Sequence, residues 1–285
     1  MRTDTGRACD WLEANGHGVV ERCVPCSGGD TCDSWELTLV AGARVFLKTH
    51  AAPPAGLFAA EAAGLAELGR SGAVRVPAVI HADPSFLLLE FIAPGAAGNA
   101  CWRGLGRALA RLHGMVAPCF GFLMDNWCGT TPQPNPRDTD GHAFFANHRL
   151  LFQARRAARA GLLPGADLRR VETIAARLES LLPVQAPALL HGDLWHGNVF
   201  ADARGEAVLV DPAVYWGWPE ADLAMTRLFG GFDEAFYDAY RELRPLEPGW
   251  GERVPLYNLY HLLNHLNLFG SAWLARVREV LDAYA

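Results

Sequence analysis

The chain has no run of about eighteen apolar residues, so nothing in it reads as a membrane-spanning helix. It has no cluster of Lys and Arg, and 31 acidic residues outnumber 25 basic ones, which argues against nucleic acid as the main partner. Met1 to Asp10 carries no apolar signal core. There is no low-complexity tract and no convincing internal repeat. Cysteines number seven, an odd count at irregular spacing, which fits a reducing cytoplasm better than a disulfide framework. Cys23-Val24-Pro25-Cys26 has no second C-x-x-C to complete a zinc site. A Walker-type G-x-x-x-x-G-K-[ST] and a well-placed G-x-G-x-x-G are also missing. The expectation is a cytoplasmic protein with no membrane or nucleic-acid partner. At 285 residues it can bury a large core, as one large domain or as two lobes.

What is present is concentrated in His191-Gly192-Asp193-Leu194-Trp195-His196-Gly197-Asn198, followed by Asp211. This is the H-x-D-x-x-x-x-N loop of kinase-like phosphotransferases. Phosphoryl transfer from ATP needs a carboxylate to accept the proton of the attacking hydroxyl, and Asp193 fits that role. It also needs oxygen ligands for the Mg2+ that neutralises the phosphates, and Asn198 and Asp211 fit those. The apolar runs Ala188 to Leu190 and Val208 to Val210 read as short buried strands that deliver these groups to a cleft.

Upstream, Val19 to Cys23, Trp35 to Val40, Arg44 to Lys48 and Phe86 to Ile92 read as strands, and Leu57 to Gly69 as a helix. Glu61 shares a helix face with Leu57, Leu65 and Leu68, and a carboxylate on an apolar face needs a partner. Lys48, at the end of an apolar strand, is the expected one; kinase-like enzymes use such a pair to grip ATP phosphates. Ser27-Gly28-Gly29-Asp30 lies between two strands, and Gly28 and Gly29 would let backbone N–H groups approach phosphate. Glu90, Phe91 and Ile92 fall where two lobes would join and would offer main-chain contacts to adenine. Downstream, helical spacing recurs over Trp102 to Met115, Phe144 to Ala160, Ala166 to Leu182, Asp222 to Phe229, Ala235 to Leu243, Leu256 to Phe269 and Ala272 to Tyr284. The pattern predicts an α+β, protein-kinase-like two-lobed fold. A small β-rich nucleotide-binding lobe spans 1–92, and a large, mostly helical catalytic and acceptor-binding lobe spans 93–285, with Pro94-Gly95 at the boundary.

Three residues are candidates for the acceptor. Trp195, two residues after the base, can stack on a sugar. His261 and His265 share a helix face with Asn264, neutral and hydrogen-bonding, as a polyhydroxylated ligand would require. The two histidines are four apart, but no third metal ligand accompanies them in sequence. Asp222 is expected either to cap a helix or to brace the catalytic loop, and His191 to brace rather than react.

The chain resembles the fructosamine kinase (ketosamine-3-kinase) family, itself similar to aminoglycoside phosphotransferases. The resemblance covers nearly the whole chain. It rests on Leu190 to Asn198, Asp211-Pro212-Ala213, Leu228-Phe229-Gly230-Gly231-Phe232 and Tyr260 to Asn267, with Asn126-Trp127, Gln133-Pro134-Asn135, Phe144-Phe145 and Arg149. It implies ATP and Mg2+ as cofactors and phosphorylation of the 3-hydroxyl of a ketosamine such as a fructosamine or ribulosamine. The amine is free or on a protein, and the product decomposes to release it. An aminoglycoside-type or other small-alcohol kinase is the alternative, and a nucleotide-binding pseudokinase a further one. A protein kinase does not fit, because Pro219 to Asp222 follows Asp211 with no room for an activation segment.

Overall fold

A computed structural model describes residues 4–26 and 32–285. Helix α1 (Asp4–Ala14) precedes strands β1 (Val20–Cys26), β2 (Asp33–Leu39) and β3 (Arg44–Thr49). Helix α2 (Leu57–Arg70) and the hairpin of β4 (Val79–Asp83) and β5 (Phe86–Glu90) follow. The five strands form one antiparallel sheet in the order β1-β2-β3-β5-β4.

The period-two rule sorts its side chains cleanly. Val45 and Leu47, with Phe86 and Leu88, pack against Ala8 and Leu12 of α1. Phe46, with Leu87 and Leu89, packs on the other face against Leu57, Phe58 and Leu65 of α2. Lys48 is in phase with Phe46, so its ammonium is delivered to the α2 side. Each fully buried Leu or Phe in these layers contributes roughly 1.5–3 kcal/mol.

The remainder is mostly helical. It comprises α3 (Asn99–Leu112), the short strands β6 (Asn126–Cys128) and β7 (Thr131–Gln133), α4 (Gly141–Phe145), a π-helical turn (Ala146–Leu150), α5 (Leu151–Arg159), α6 (Gly165–Ala176) and α7 (Leu178–Leu181). Then come β8 (Ala188–Leu190), β9 (Val199–Ala201), β10 (Ala207–Leu209) and β11 (Tyr215–Gly217), and after them α8 (Pro219–Leu228), α9 (Glu234–Leu243), α10 (Trp250–Phe269) and α11 (Leu274–Tyr284). Helix α10 is buried on nearly every side from Leu256 to Asn264, as expected of a helix central to a lobe. It packs on α8, while α3 packs along α9. The α+β, two-lobed kinase-like architecture is the one expected from sequence.

Several boundaries differ, for local reasons. Helix α1 buries only Ala8 and Leu12, too narrow a stripe to stand out as periodic. Strand β4 is half-buried at every position, so it shows no alternation. The expected helix 144–160 is α4, the π turn and α5 in succession, and 166–182 divides into α6 and α7. Helix α10 starts at Trp250, six residues before the expected Leu256, because Pro255 lies inside it and reads as a breaker. Helix α8 starts at Pro219, so Asp222 stands within the helix and does not cap it. The strand expected over 86–92 ends at Glu90.

Candidate active site

Strand β8 pairs with β11, and its three buried residues lead directly into His191-Gly192-Asp193. The turn is held from behind by Asp222, 1% exposed. Its carboxylate accepts from His191 N at 2.7 Å and Gly192 N at 2.8 Å, and lies 3.3 Å from His113 Nε2. Burial would push this carboxyl up, but His113 and the backbone donors outweigh it and hold it below the usual range. Asp222 therefore braces the loop.

His191 also supports the turn. Its Nδ1 accepts from Asp193 N at 3.3 Å, so Nε2–H donates to Val210 O at 3.0 Å. Burial lowers its pKa, consistent with a neutral ring of fixed tautomer. Gly192 has φ +84°, and a Cβ there would lie 2.0 Å from Ala213 O, so only glycine fits.

On the cleft side, Asn198 Nδ2 donates to Asp193 O at 2.8 Å and to Asp193 Oδ2 at 3.2 Å. With its nitrogen committed there, its carbonyl oxygen is the ligand atom it can offer a cation. Among the described residues Asp211 alone combines a side chain with positive φ, at 54°. Such a conformation costs of order 1–3 kcal/mol and persists where surroundings fix it. Pro212, Ala213 and Val214 are fixed in this way. Gln133 Nε2 donates to Ala213 O, and Asn126 Nδ2 to Val214 O. Gly64 of α2 packs on Val214 and Pro212.

Lys48 Nζ lies 2.8 Å from both Glu61 Oε1 and Asp211 Oδ1. Burial would lower its pKa, but the two carboxylates outweigh it and keep the ammonium charged. Removing one partner from such a buried cluster costs about 3–5 kcal/mol. Lys48→Met is expected to lower unfolding stability by about that much, and Lys48→Met/Glu61→Leu to recover part of it. Urea unfolding of the two variants checks this.

These groups open on a cleft of about 290 Å³ whose far wall includes Trp127, Trp195, Asn264, His265 and Phe269. Trp195 meets Phe229 edge-on at 5.4 Å, and Phe229 in turn meets His265 at 5.2 Å. The Trp195 ring also overlies Gly197, where a Cβ would sit 2.4 Å from it. His265 Nδ1–H donates to His261 O at 2.8 Å. His261 is buried, and burial, helped by His265, pushes its pKa down to about 3. Its Nδ1 is 3.8 Å from Asp193 Oδ1.

The structure thus gathers Lys48, Glu61, Asp193, Trp195, Asn198, Asp211 and His265 around one cleft, with His261 just beneath. Glu90, Phe91 and Ile92 are not part of that wall. They end β5 and begin the inter-lobe link, where Glu90 accepts from Ala78 N and pairs with Arg75, and Arg44 stacks on Phe91. Gly28 and Gly29 lie outside the described residues.

Sequence reasoning gave no role to the polar platform under the cleft. Arg149 is fully buried, donates to Pro134 O and Asn135 Oδ1 and lies 4.0 Å over the Tyr215 ring. Asn135 and Gln133 both donate to Asn126 Oδ1, and Tyr260 Oη donates to Gln133 Oε1. Cys128 was missed too, because a three-residue strand carries no periodic signal; Trp127 entered only through the family resemblance.

Comparison with known proteins follows the same line. The family model described as fructosamine kinase matches residues 10–285. A probable ketoamine kinase of Enterococcus faecium is 41% identical over 267 residues, which is 92% of this chain and 94% of that one. The chloroplastic protein-ribulosamine 3-kinase of Oryza sativa subsp. japonica is 34% identical over 288 residues, covering 96% of this chain and 82% of that one. A solved Thermobifida fusca structure named "putative fructosamine-3-kinase" superposes with a TM-score of 0.89 at 34% identity, covering 97% of both chains. With that match over nearly its whole length, the chain belongs to the fructosamine kinase family.

Proposed function

We propose that this protein is an ATP-dependent ketosamine-3-kinase, transferring the γ-phosphoryl group to the 3-hydroxyl of a fructosamine or ribulosamine and so releasing the amine. Residues 1–92 hold the nucleotide, and residues 93–285 supply the base and the acceptor wall. The observation that carries the reading is the convergence of Asp193, Asn198, Asp211 and Lys48 on one cleft within a chain of this family.

The donor set suits magnesium. The Asn198 carbonyl oxygen and the Asp211 carboxylate are hard oxygen ligands of the kind Mg2+ takes, with no sulfur or imidazole between them. When bound there, magnesium supplies neutralisation of the phosphate charge. Lys48, held by Glu61, grips the phosphates. Gly28 and Gly29 offer backbone N–H groups to them, and Glu90 to Ile92 offer main-chain atoms to adenine. Asp193, held by the Asn198 amide, accepts the proton of the acceptor hydroxyl as it attacks.

Trp195 stacks on the sugar, and Asn264 with His265 hydrogen-bonds its hydroxyls. His261, neutral beneath Asp193, keeps that end of the cleft from carrying a competing positive charge. A neutral wall of this kind fits a polyhydroxylated sugar better than a polycationic aminoglycoside, which calls for carboxylates. The charge and chemistry fit a cytoplasmic enzyme acting on small glycated amines or glycated protein.

The test is ATP consumption with magnesium against ribulosamine-lysine, fructose-lysine, an aminoglycoside and no acceptor. Turnover on a ketosamine, abolished in Asp193→Asn, is expected. Turnover on the aminoglycoside alone overturns the reading, and ATP binding with no turnover on any acceptor makes the chain a nucleotide-binding module.

A further inference from the structure

One group of metal-ligating side chains stands out among the described residues, and it joins the proposed base to two residues other than Asn198 and Asp211. Cys128 ends β6, Asp193 stands in the catalytic loop, and His261 rises from α10. Their sulfur, carboxylate and ring-nitrogen atoms all lie within 4.8 Å of one another.

The separation of His261 Nδ1 from Asp193 Oδ1, 3.8 Å, is too long for a hydrogen bond. It is close to the spacing a shared cation imposes. Ligands at about 2.0–2.3 Å from a tetrahedral zinc stand roughly 3.3–3.8 Å apart. His261 is 5% exposed, and its Nδ1 is buried with no hydrogen-bond partner. A buried polar atom left unpaired is costly and calls for an explanation; here that atom points at the base. Cys128 is 2% exposed, and Asn264 Nδ2 donates to its sulfur at 3.2 Å, as an outer-shell amide does to a metal-bound thiolate.

The chemistry of the two donor sets separates the cations. Oxygen alone, at Asn198 and Asp211, suits magnesium. Sulfur, imidazole and one carboxylate together suit a borderline-soft ion such as Zn2+. Cys128 and Asp193 both line the cleft, so an entry path exists and a fourth coordination position would face the acceptor.

We propose that Cys128, His261 and Asp193 form an inhibitory site for Zn2+ or a similar thiophilic divalent cation, which sequesters the carboxylate needed for phosphotransfer. Burial holds the Cys128 thiol protonated, so binding forms an S–metal bond and releases that one proton to solvent. The ion occupies the acceptor side, so inhibition competes with the ketosamine and not with ATP. The inhibition rests on Asp193 being the base; the binding does not.

The experiment titrates the full chain with Co2+ as a spectroscopic probe in excess Mg2+. One equivalent per chain is expected, with a thiolate-to-metal charge-transfer band in the near ultraviolet and the intense visible bands of tetrahedral cobalt. Cys128→Ser and Cys128→Ala, each checked for a cooperative melt, should lose the charge-transfer band. His261→Gln should weaken binding about tenfold or more. Cys23→Ser/Cys26→Ser should keep the band, which places the thiolate away from the C-x-x-C pair. Zn2+ should displace the cobalt and inhibit ketosamine phosphorylation reversibly with a chelator, and Cys128→Ser should resist it. No thiolate band in the wild type, or a band that survives in both Cys128 variants, overturns the site. Stoichiometric binding with undiminished turnover overturns the inhibitory role. Whether Asp193 is the base is decided separately, by the turnover of Asp193→Asn without added zinc.

Discussion

Asp193→Asn is expected to lower kcat by about three orders of magnitude while leaving ATP affinity nearly unchanged. A positioned general base typically contributes 10²–10⁴-fold, and an amide of the same shape cannot accept the acceptor's proton. The substitution keeps volume and backbone. Asn198 Nδ2 still has Asp193 O to donate to, the shorter of its two contacts there. Lys48, Glu61 and Asp211, the proposed phosphate and cation groups, form their own ion cluster and do not rest on Asp193. Single-turnover phosphoryl transfer and calorimetric titration with ATP and magnesium separate the two effects. Turnover within tenfold of wild type would remove Asp193 from the role of base.

The second large effect belongs to a residue that touches no substrate. Asp222→Ala should destabilise the fold by about 3–5 kcal/mol, because it removes a buried carboxylate with three partners. It strands the backbone N–H groups of His191 and Gly192, each costing about 1–3 kcal/mol when buried and unpaired, and leaves His113 without its acceptor. Set against a total stability of 5–15 kcal/mol, that loss brings the chain near its folding limit. Turnover should fall too, because the Gly192 turn that aims Asp193 loses its tether. Urea midpoint and kcat, measured well below the melting temperature, read the two consequences. A variant with near-native stability would mean that the loop is held by strand pairing alone.

The candidate catalytic segment was legible because its pattern is local. His191 to Asn198 lie in eight consecutive residues, and Asp211 ends an apolar strand that any periodicity reading finds. The Lys48–Glu61 proximity was also legible, because a carboxylate in phase with Leu57, Leu65 and Leu68 demands a cation, and the preceding strand offers one. The second carboxylate on Lys48 was not, since Asp211 lies 163 positions away and no local pattern reports so distant a contact. The Asp222 brace was half legible: helix α8 begins three residues earlier than its sequence suggests, and this turns a plausible cap into a buried anchor. Arg149 was the least readable. A fully buried guanidinium held by carbonyl oxygens and an aromatic ring depends on three separate segments that only the tertiary fold brings together.

Lys48 has a consequence for how ligands load. Its ammonium ties a strand of the sheet to Asp211 in the helical lobe. For Lys48 to take hold of a phosphate it must share its charge away from Asp211, and a cation arriving at Asp211 makes that exchange favourable. On the proposed roles of Lys48 and Asp211, metal and nucleotide are expected to load as a cooperative pair, each raising the other's affinity by the same factor through thermodynamic reciprocity. The expected result is weak binding of ATP alone and tight binding of ATP with magnesium, before any acceptor is present, as read by calorimetric titration.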